Sequence, residues 1–292
     1  MSPAAGNPDR ALVTGAVAYD AKVVTIWEGF KDWFAGRGLA FDYVLYSNYE
    51  TQVEALLAGE IHVAWNSPLA WLRADRLARA AGLEVTAVAM RDTDRDLTSV
   101  VVVRADSGID DVAGLAGGVV AVGAVDSPQA TLIPLSHLRA LGITPGKDVE
   151  VLGHEIGVGK HGDHVGGERD AARALISGAA TAACMIDGNH LLFSSEGTLP
   201  AGSTRVLTQT APYDHCNFTV GPSAPAGLVA GFTDLLGAMT YDDARVRPLL
   251  DLEGLKAWLP GRTSGYAALD AAVDEVDFYD EKGHVTAAGY RP

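Results

Sequence analysis

Cysteine is nearly absent: Cys184 and Cys216 are the only two in 292 residues. A disulfide framework is thereby excluded, and one bridge is the most these thiols could form. Long apolar runs are missing too. No stretch reaches the ~18 residues that a bilayer-crossing helix needs, so no membrane insertion is expected. Positive charge is scarce. Lys and Arg number 22 against 37 Asp and Glu, giving a net charge of −15. Such a field repels phosphate backbones and anionic lipid, which excludes nucleic acid and the membrane surface as bulk partners. A small anion is still acceptable, because the start of a helix can hold one locally. The opening MSPAAGNPDR has neither the basic region nor the apolar core of an export leader. The chain as written is therefore expected in the cytoplasm, and outside it only if a leader has been removed. The phosphate-binding P-loop, the G-x-G-x-x-G order and the G-x-S-x-G elbow are all missing, and no cofactor is expected.

What is present is an ordinary globular composition, with 48% hydrophobic and 20% charged residues. The length favours two domains. Short β-branched runs alternate with longer helical stretches, the mark of an α/β chain. Strands are expected over 11–18, 42–46, 61–65, 84–90 and 99–103, then over 119–122, 149–152, 182–186, 206–210 and 217–220. Helices are expected over 21–37, 49–58, 68–81, 129–141 and 170–177, with a short one over 110–115. In the first, Val24, Trp27 and Phe34 are read as one apolar face. Beyond Ala224 the chain is expected to be mostly helical, with a loop near 260–265 and a turn-rich tail from Asp277.

One segment echoes another. Ala55 to Trp65 (ALLAGEIHVAW) resembles Ala174 to Cys184 (ALISGAATAAC). Each is a helix ending in glycine and running at once into a strand. Each strand delivers polar residues at its end, Asn66 and Ser67 in one and Asp187 and Asn189 in the other. Two such units suggest two similar lobes.

Four pieces, in this order and spacing, resemble a known family. They are Leu57 to Pro68 (LAGEIHVAWNSP), Ser99 to Ile109 (SVVVVRADSGI), Val112 to Gly117 leading through Val119–Gly123 into Asp126–Thr131 (DSPQAT), and Glu168 to Ala172 continuing to Asp187. Together they cover roughly residues 10 to 240. The sequence is similar to the phosphonate-type solute-binding proteins of ABC transporters, whose ligands include phosphate, phosphite and phosphonate. The resemblance implies a type II periplasmic-binding-protein fold: two α/β lobes, a central cleft and two crossing hinge strands. Lobe 1 would comprise 1–97 plus 217–292, and lobe 2 would comprise 98–216. It also implies a small polar or anionic ligand, and an ABC permease as partner if the chain is exported. Two features depart from the family: the leaderless start, and a Gly- and His-rich insertion over 157–168. The same fold also hosts cytoplasmic enzymes, so fold alone does not decide function.

Site candidates follow strand ends. Ser127, Gln129 and Thr131 open a helix after a strand and could cradle an anion; the plainer reading is an N-cap, with Pro128 at the first helical position. Asn66 and Ser67 carry the same pair of readings. Tyr19 and Asp20 end the first strand, and Asp187 ends the strand over 182–186. In the insertion, His161-x-x-His164 with Glu168 is open to three readings: an idle solvated loop, a lid that touches ligand through His164 or Glu168, or a metal site. His215 and Cys216 are adjacent, and alternation on a strand would point them to opposite faces, which makes them a poor dyad.

Two functions emerge. The first is binding of a phosphonate-like or carboxylate-like solute through Tyr19, Asp20, Asn66, Ser67, Ser127, Gln129, Thr131, His164, Asp187 and His215. The alternative is a cytoplasmic lyase, decarboxylase or hydrolase that uses His164, Glu168 and Cys216.

Overall fold

In a computed structural model, the structure describes residues 11–163 and 166–292. The first half runs β1 (Leu12–Val17), α1 (Lys22–Ala35), β2 (Phe41–Tyr46), α2 (Tyr49–Ala58), β3 (Val63–Asn66), α3 (Pro68–Ala80), β4 (Thr86–Arg91) and β5 (Ser99–Arg104). Then come β6 (Val119–Val122), a π-type turn (Pro128–Leu132), α4 (Ile133–Ala140), β7 (Glu150–Gly153), α5 (Gly166–Ser177), β8 (Ala182–Ile186), α6 (Asp187–Glu196), β9 (Thr204–Gln209) and β10 (Asn217–Val220). The chain closes with α7 (Ala226–Gly237), α8 (Arg247–Glu253), β11 (Trp258–Pro260) and α9 (Ala267–Glu275). Among the described residues, no helix is long and apolar enough to cross a membrane.

Two compact units divide the chain. The first holds residues up to Arg95, then Asp214–Ser264 and Glu281–His284; the second holds Asp96–Tyr213, Gly265–Asp280 and Val285–Pro292. The boundary expected at 217–292 therefore moves. α9 and the last eight residues pack with the second unit, because Leu269, Ala272 and Val273 bury their side chains and Arg139 of α4 pairs with Glu275 at 2.5 Å. An amphipathic helix carries no mark of which sheet it will cover, so the sequence could not place α9.

The first unit is a six-stranded sheet in the order β2-β1-β3-β10-β4-β11. β1 runs parallel to β2 and β3, whereas β10 is antiparallel to both β3 and β4. α1 buries Val23, Ile26, Trp27, Phe30 and Phe34, the spacing of one helical face. Val24, read from the sequence as part of that face, is instead 48% exposed. The core is aromatic. The Phe218 ring of β10 lies 4.7 Å from Trp65, 5.0 Å from Phe232 and 5.2 Å from Trp258 between centroids. Tilted and edge-on contacts of this kind add to the area that each ring buries.

The second unit is a five-stranded sheet in the order β7-β6-β8-β5-β9. β6 is parallel to β7 and β8, and β5 is antiparallel to β8 and β9. Val100 and Val102 face one cluster, with Leu175 and Phe193. Val101 and Val103 face another, with Leu138 and Ile143. Both sheet faces are covered, which is why β5 is apolar without a break.

The internal echo falls on equivalent places. α2 ends at Gly59 (φ 76°) and leads to β3; α5 ends at Gly178 (φ 80°) and leads to β8. Left-handed backbone suits glycine at both helix ends. Each following strand is the one beside the antiparallel strand of its sheet.

Truncating Phe218 tests the first core. Phe218→Ala should lower the stability of the first unit by about 3–5 kcal/mol, as large-to-small changes of buried rings do. Urea unfolding followed by tryptophan fluorescence measures it, and a loss under about 1 kcal/mol would show that the cluster repacks.

Candidate functional site

In the first unit, three strand ends carry the predicted residues. Asn66 is the last residue of β3 and is fully buried. Its Oδ1 accepts from Gln52 Nε2 at 2.9 Å, and its Nδ2 donates to Thr219 Oγ1 at 2.9 Å. Thr219 in turn donates to Asn217 Oδ1 at 2.7 Å. A polar ladder thus runs from α2 through β3 into β10, and Gln52 also donates to the Trp65 carbonyl. Ser67 is the N-cap of α3: its Oγ accepts from Ala70 N at 3.1 Å, with Pro68 following in the first turn. Asn48 caps α2 in the same way, accepting from Thr51 N at 2.8 Å. Asp20 is exposed and accepts from Lys22 N at 2.8 Å; Tyr19 lies under the Lys22 ammonium, 5.7 Å from its ring centroid.

A second cluster in this unit forms where the chain leaves it and where it returns. Arg91 grips Asp94 with two bonds, Nε to Oδ2 at 2.6 Å and Nη2 to Oδ1 at 2.8 Å. Its remaining nitrogen reaches the Glu253 carbonyl at 2.8 Å. His215 donates its backbone N–H to the Asp94 carbonyl at 2.7 Å, and its Nδ1 lies 3.4 Å from Asp94 Oδ1. That same Nδ1 lies 3.1 Å from Cys216 Sγ. The expectation that His215 and Cys216 point apart is therefore corrected. Both precede β10, which starts at Asn217, so strand alternation does not yet hold there. Burial pushes the Asp94 carboxyl up, but the charge and hydrogen bond of Arg91, then His215, outweigh it and hold the carboxyl at about 2. Only the return of residues 214–216 beside Arg91 and Asp94 gives these two this role.

In the second unit, Ser127 is an N-cap: its Oγ accepts from Ala130 N at 3.2 Å. Thr131 donates to the Ala124 carbonyl at 2.7 Å, and Gln129 Nε2 donates to the Gly162 carbonyl at 2.7 Å. Gln129 Oε1 is buried without a hydrogen-bond partner among the described residues. The insertion is thus tied to the turn. Gly162 (φ 75°) sits so close that a Cβ there would meet Ser127 Oγ, and would lie 2.7 Å from Gln129 Nε2. Asp126 Oδ2 accepts from Gly159 N at 2.5 Å and from Tyr290 Oη at 3.2 Å. Tyr290 Oη is also 3.4 Å from Nε2 of the fully buried His161. Nothing in the sequence of the turn-rich tail pointed to Tyr290.

Glu168, on α5, accepts at one oxygen from Ile186 N at 3.0 Å and from Asn189 Nδ2 at 2.8 Å. His164 lies outside the described residues. Asp187 starts α6, an element absent from the sequence expectation, and its Oδ2 accepts from Thr98 Oγ1 at 2.8 Å. Cys184, buried in β8, has its thiol pushed up to about 12 by burial and by the Glu168 charge, which leaves it inert. Of the three residues proposed for catalysis, Cys216 belongs to the first unit and Glu168 to the second.

The family model of the ABC-transporter periplasmic substrate-binding proteins for phosphonate matches residues 16–266. Among solved structures, PhnD1 from Prochlorococcus marinus, in complex with methylphosphonate, aligns with a TM-score of 0.70 at 15% identity, over 94% of this chain and 100% of that one. A binding protein component of an ABC phosphonate transporter from Pseudomonas aeruginosa aligns at 0.62 and 13% identity, over 92% of this chain and 87% of that one. The periplasmic aliphatic sulphonate binding protein SsuA from Escherichia coli aligns at 0.53 and 18% identity, over 91% and 83%. At these identities the structures show a shared fold. No curated protein sequence matches this chain. The family match covers most of the sequence, and the chain belongs to the phosphonate substrate-binding protein family of ABC transporters.

Proposed function

We propose that the protein is an extracytoplasmic receptor for a small tetrahedral oxyanion, a phosphonate or a close relative, which it delivers to an ABC permease. The family match over residues 16–266 carries this reading. Family membership supports work outside the cytoplasm, in place of the cytoplasmic location read from the N-terminus. The solved relatives are described as bound to methylphosphonate in one case and as binding aliphatic sulphonates in another, which supports a compact anion with an organic group.

The local structure agrees chemically. Three parallel strands end in polar residues that start helical turns: β3 at Asn66 and Ser67, β6 ahead of Ser127, and β8 at Asp187. The carboxyl ends of strands in open α/β sheets are where ligands collect, and helical first turns offer N–H groups to an anion. The π-type turn at Pro128–Leu132 widens the backbone beside Ser127, a distortion found at functional sites. A net charge of −15 is compatible with this, since selectivity comes from a few local bonds, each worth roughly 1.5–3 kcal/mol when charge-assisted. The enzymatic alternative gains no support. Glu168 serves Ile186 and Asn189, and Asp94 and its neighbours form a structural network within one unit.

The test is a melting and calorimetry series with methylphosphonate, phosphite, phosphate, an alkanesulfonate and acetate. At 100-fold excess over Kd, the right anion should add about 2.7 kcal/mol of stability, read as a rise of several degrees in Tm. Acetate should do nothing. Failure of every tetrahedral anion to shift Tm or release heat would end this reading.

Two substitutions sharpen it. Ser67→Ala and Ser127→Ala each remove a cap and should cost about 1 kcal/mol of stability. Either one that also weakens anion binding by about tenfold, or 1.4 kcal/mol, assigns a solute contact to its unit. Gly162→Ala should lift the insertion off the Ser127 turn, because a left-handed residue with no room for a Cβ must move. We expect it to weaken binding of the same anion by about tenfold or more, again by calorimetry. Unchanged affinity would show that the insertion is only structural.

A further inference from the structure

We propose that Asp94, His215 and Cys216 form a binding site for a thiophilic divalent metal ion of the zinc type, an inference that does not rest on the solute reading. The carrying observation is the convergence of three different donor atoms on one point. Oδ1 of Asp94 and Sγ of Cys216 both approach the same nitrogen, Nδ1 of His215, at 3.4 Å and 3.1 Å. The three residues are buried, and their ligand atoms all lie within 4.8 Å of one another. A tetrahedral zinc ion with bonds of ~2.0–2.3 Å holds its ligand atoms roughly 3.3–3.8 Å apart, so the set needs only small adjustments to bind. Sulfur, imidazole and carboxylate together select zinc or cobalt over magnesium or calcium, which prefer all-oxygen shells. Three protein ligands leave a fourth position for water.

The surroundings supply what such a site requires. A metal-bound carboxylate needs a partner that fixes its orientation. Arg91 does so with two bonds to Asp94, and it also pairs with Glu253 at 3.4 Å. The backbone bond from His215 N to the Asp94 carbonyl, 2.7 Å long, fixes the spacing of the two segments. Charge balance favours a divalent ion. One guanidinium faces two carboxylates, and the Cys216 thiolate formed on coordination brings the cluster to two net negative charges. On binding, the thiol proton passes to solvent and the sulfur lone pair forms the metal bond; nothing is oxidised or reduced. The ion would join the segment just before the chain leaves this unit, after Arg95, to the segment just after it re-enters, at Asp214.

The experiment uses the full-length reduced protein, stripped with a chelator and titrated with Co(II), then with Zn(II) in competition. We expect one equivalent of Co(II) to bind with a sulfur-to-cobalt charge-transfer band, and Zn(II) to displace it. Only two cysteines exist, so the sulfur is assignable. The band should vanish in Cys216→Ala and persist in Cys184→Ala, and His215→Ala should weaken binding by roughly 100-fold or more, beyond the loss typical of an outer-shell partner. Zinc-edge X-ray absorption on the unaltered protein gives a reading that needs no variant: one sulfur, with nitrogen and oxygen neighbours. The proposal is overturned by the absence of a charge-transfer band, by a band that follows Cys184, or by a zinc shell without sulfur.

Discussion

The first sheet is completed by β10, a strand the chain makes only after all the strands of the second sheet, and most of that unit's architecture follows from this constraint. In the first unit, three parallel strands are ordered β2-β1-β3, and β10 then joins antiparallel with β4 beyond it. In the second, the order β7-β6-β8 is joined antiparallel by β5, with β9 beyond it. Without β10, strands β4 and β11 have no link to the rest of their sheet. Phe218 shows how much depends on this strand: one side chain of β10 touches rings from β3, α7 and β11 together. A unit whose central strand is made more than 100 residues after its neighbours closes a long loop before it gains that core. Such non-local closure is slow.

The same constraint explains where polar chemistry can accumulate. β3 must pair with β1 on one side and β10 on the other, so its last residue, Asn66, is buried with a polar side chain to satisfy. Gln52 and Thr219 satisfy it, one from the preceding helix and one from the incoming strand. A buried amide with those partners removed would cost far more than the bonds contribute, so the ladder specifies the register of β10 against β3. Ser67, next in the chain, turns directly into a helix, leaving N–H groups at the end of the sheet. The helix start at that edge is thus a by-product of how the sheet ends.

Much of this was readable in the sequence, for reasons that can be traced to particular residues. The α2–Gly59–β3 and α5–Gly178–β8 echo revealed two similar units because glycine at a helix end and an immediate apolar strand are local signals. Ser67-Pro68 and Ser127-Pro128 were readable as caps for the same reason, and both act as caps. The misses are non-local or too short. β11 is three residues ending in Pro260, and its pairing with β4 exists only in the tertiary structure. α6 starts without a side-chain cap, directly from β8, so Asp187 and Asn189 read only as polar residues at the end of that strand. α9 is helical by its own pattern, but its choice of α4 as partner is a tertiary fact.

The cluster at Asp94 shows the limit most clearly. Its two halves are separated by about 120 residues, and each half alone reads blandly: a charged turn, and a Cys next to a His on the approach to a strand. Local geometry argued against His215 and Cys216 meeting, because alternation was assumed to begin before the strand does. In the structure, the backbone of His215 is pinned to Asp94 before β10 starts, and this turns imidazole and thiol toward the same carboxylate. The Arg91 guanidinium then decides the chemistry. It holds Asp94 ionised inside the protein, against the burial that pushes its carboxyl up. A buried, ionised carboxylate beside an imidazole and a thiol is a donor set. Removing Arg91 would leave an uncompensated acid, which is the costly outcome for a buried ion pair.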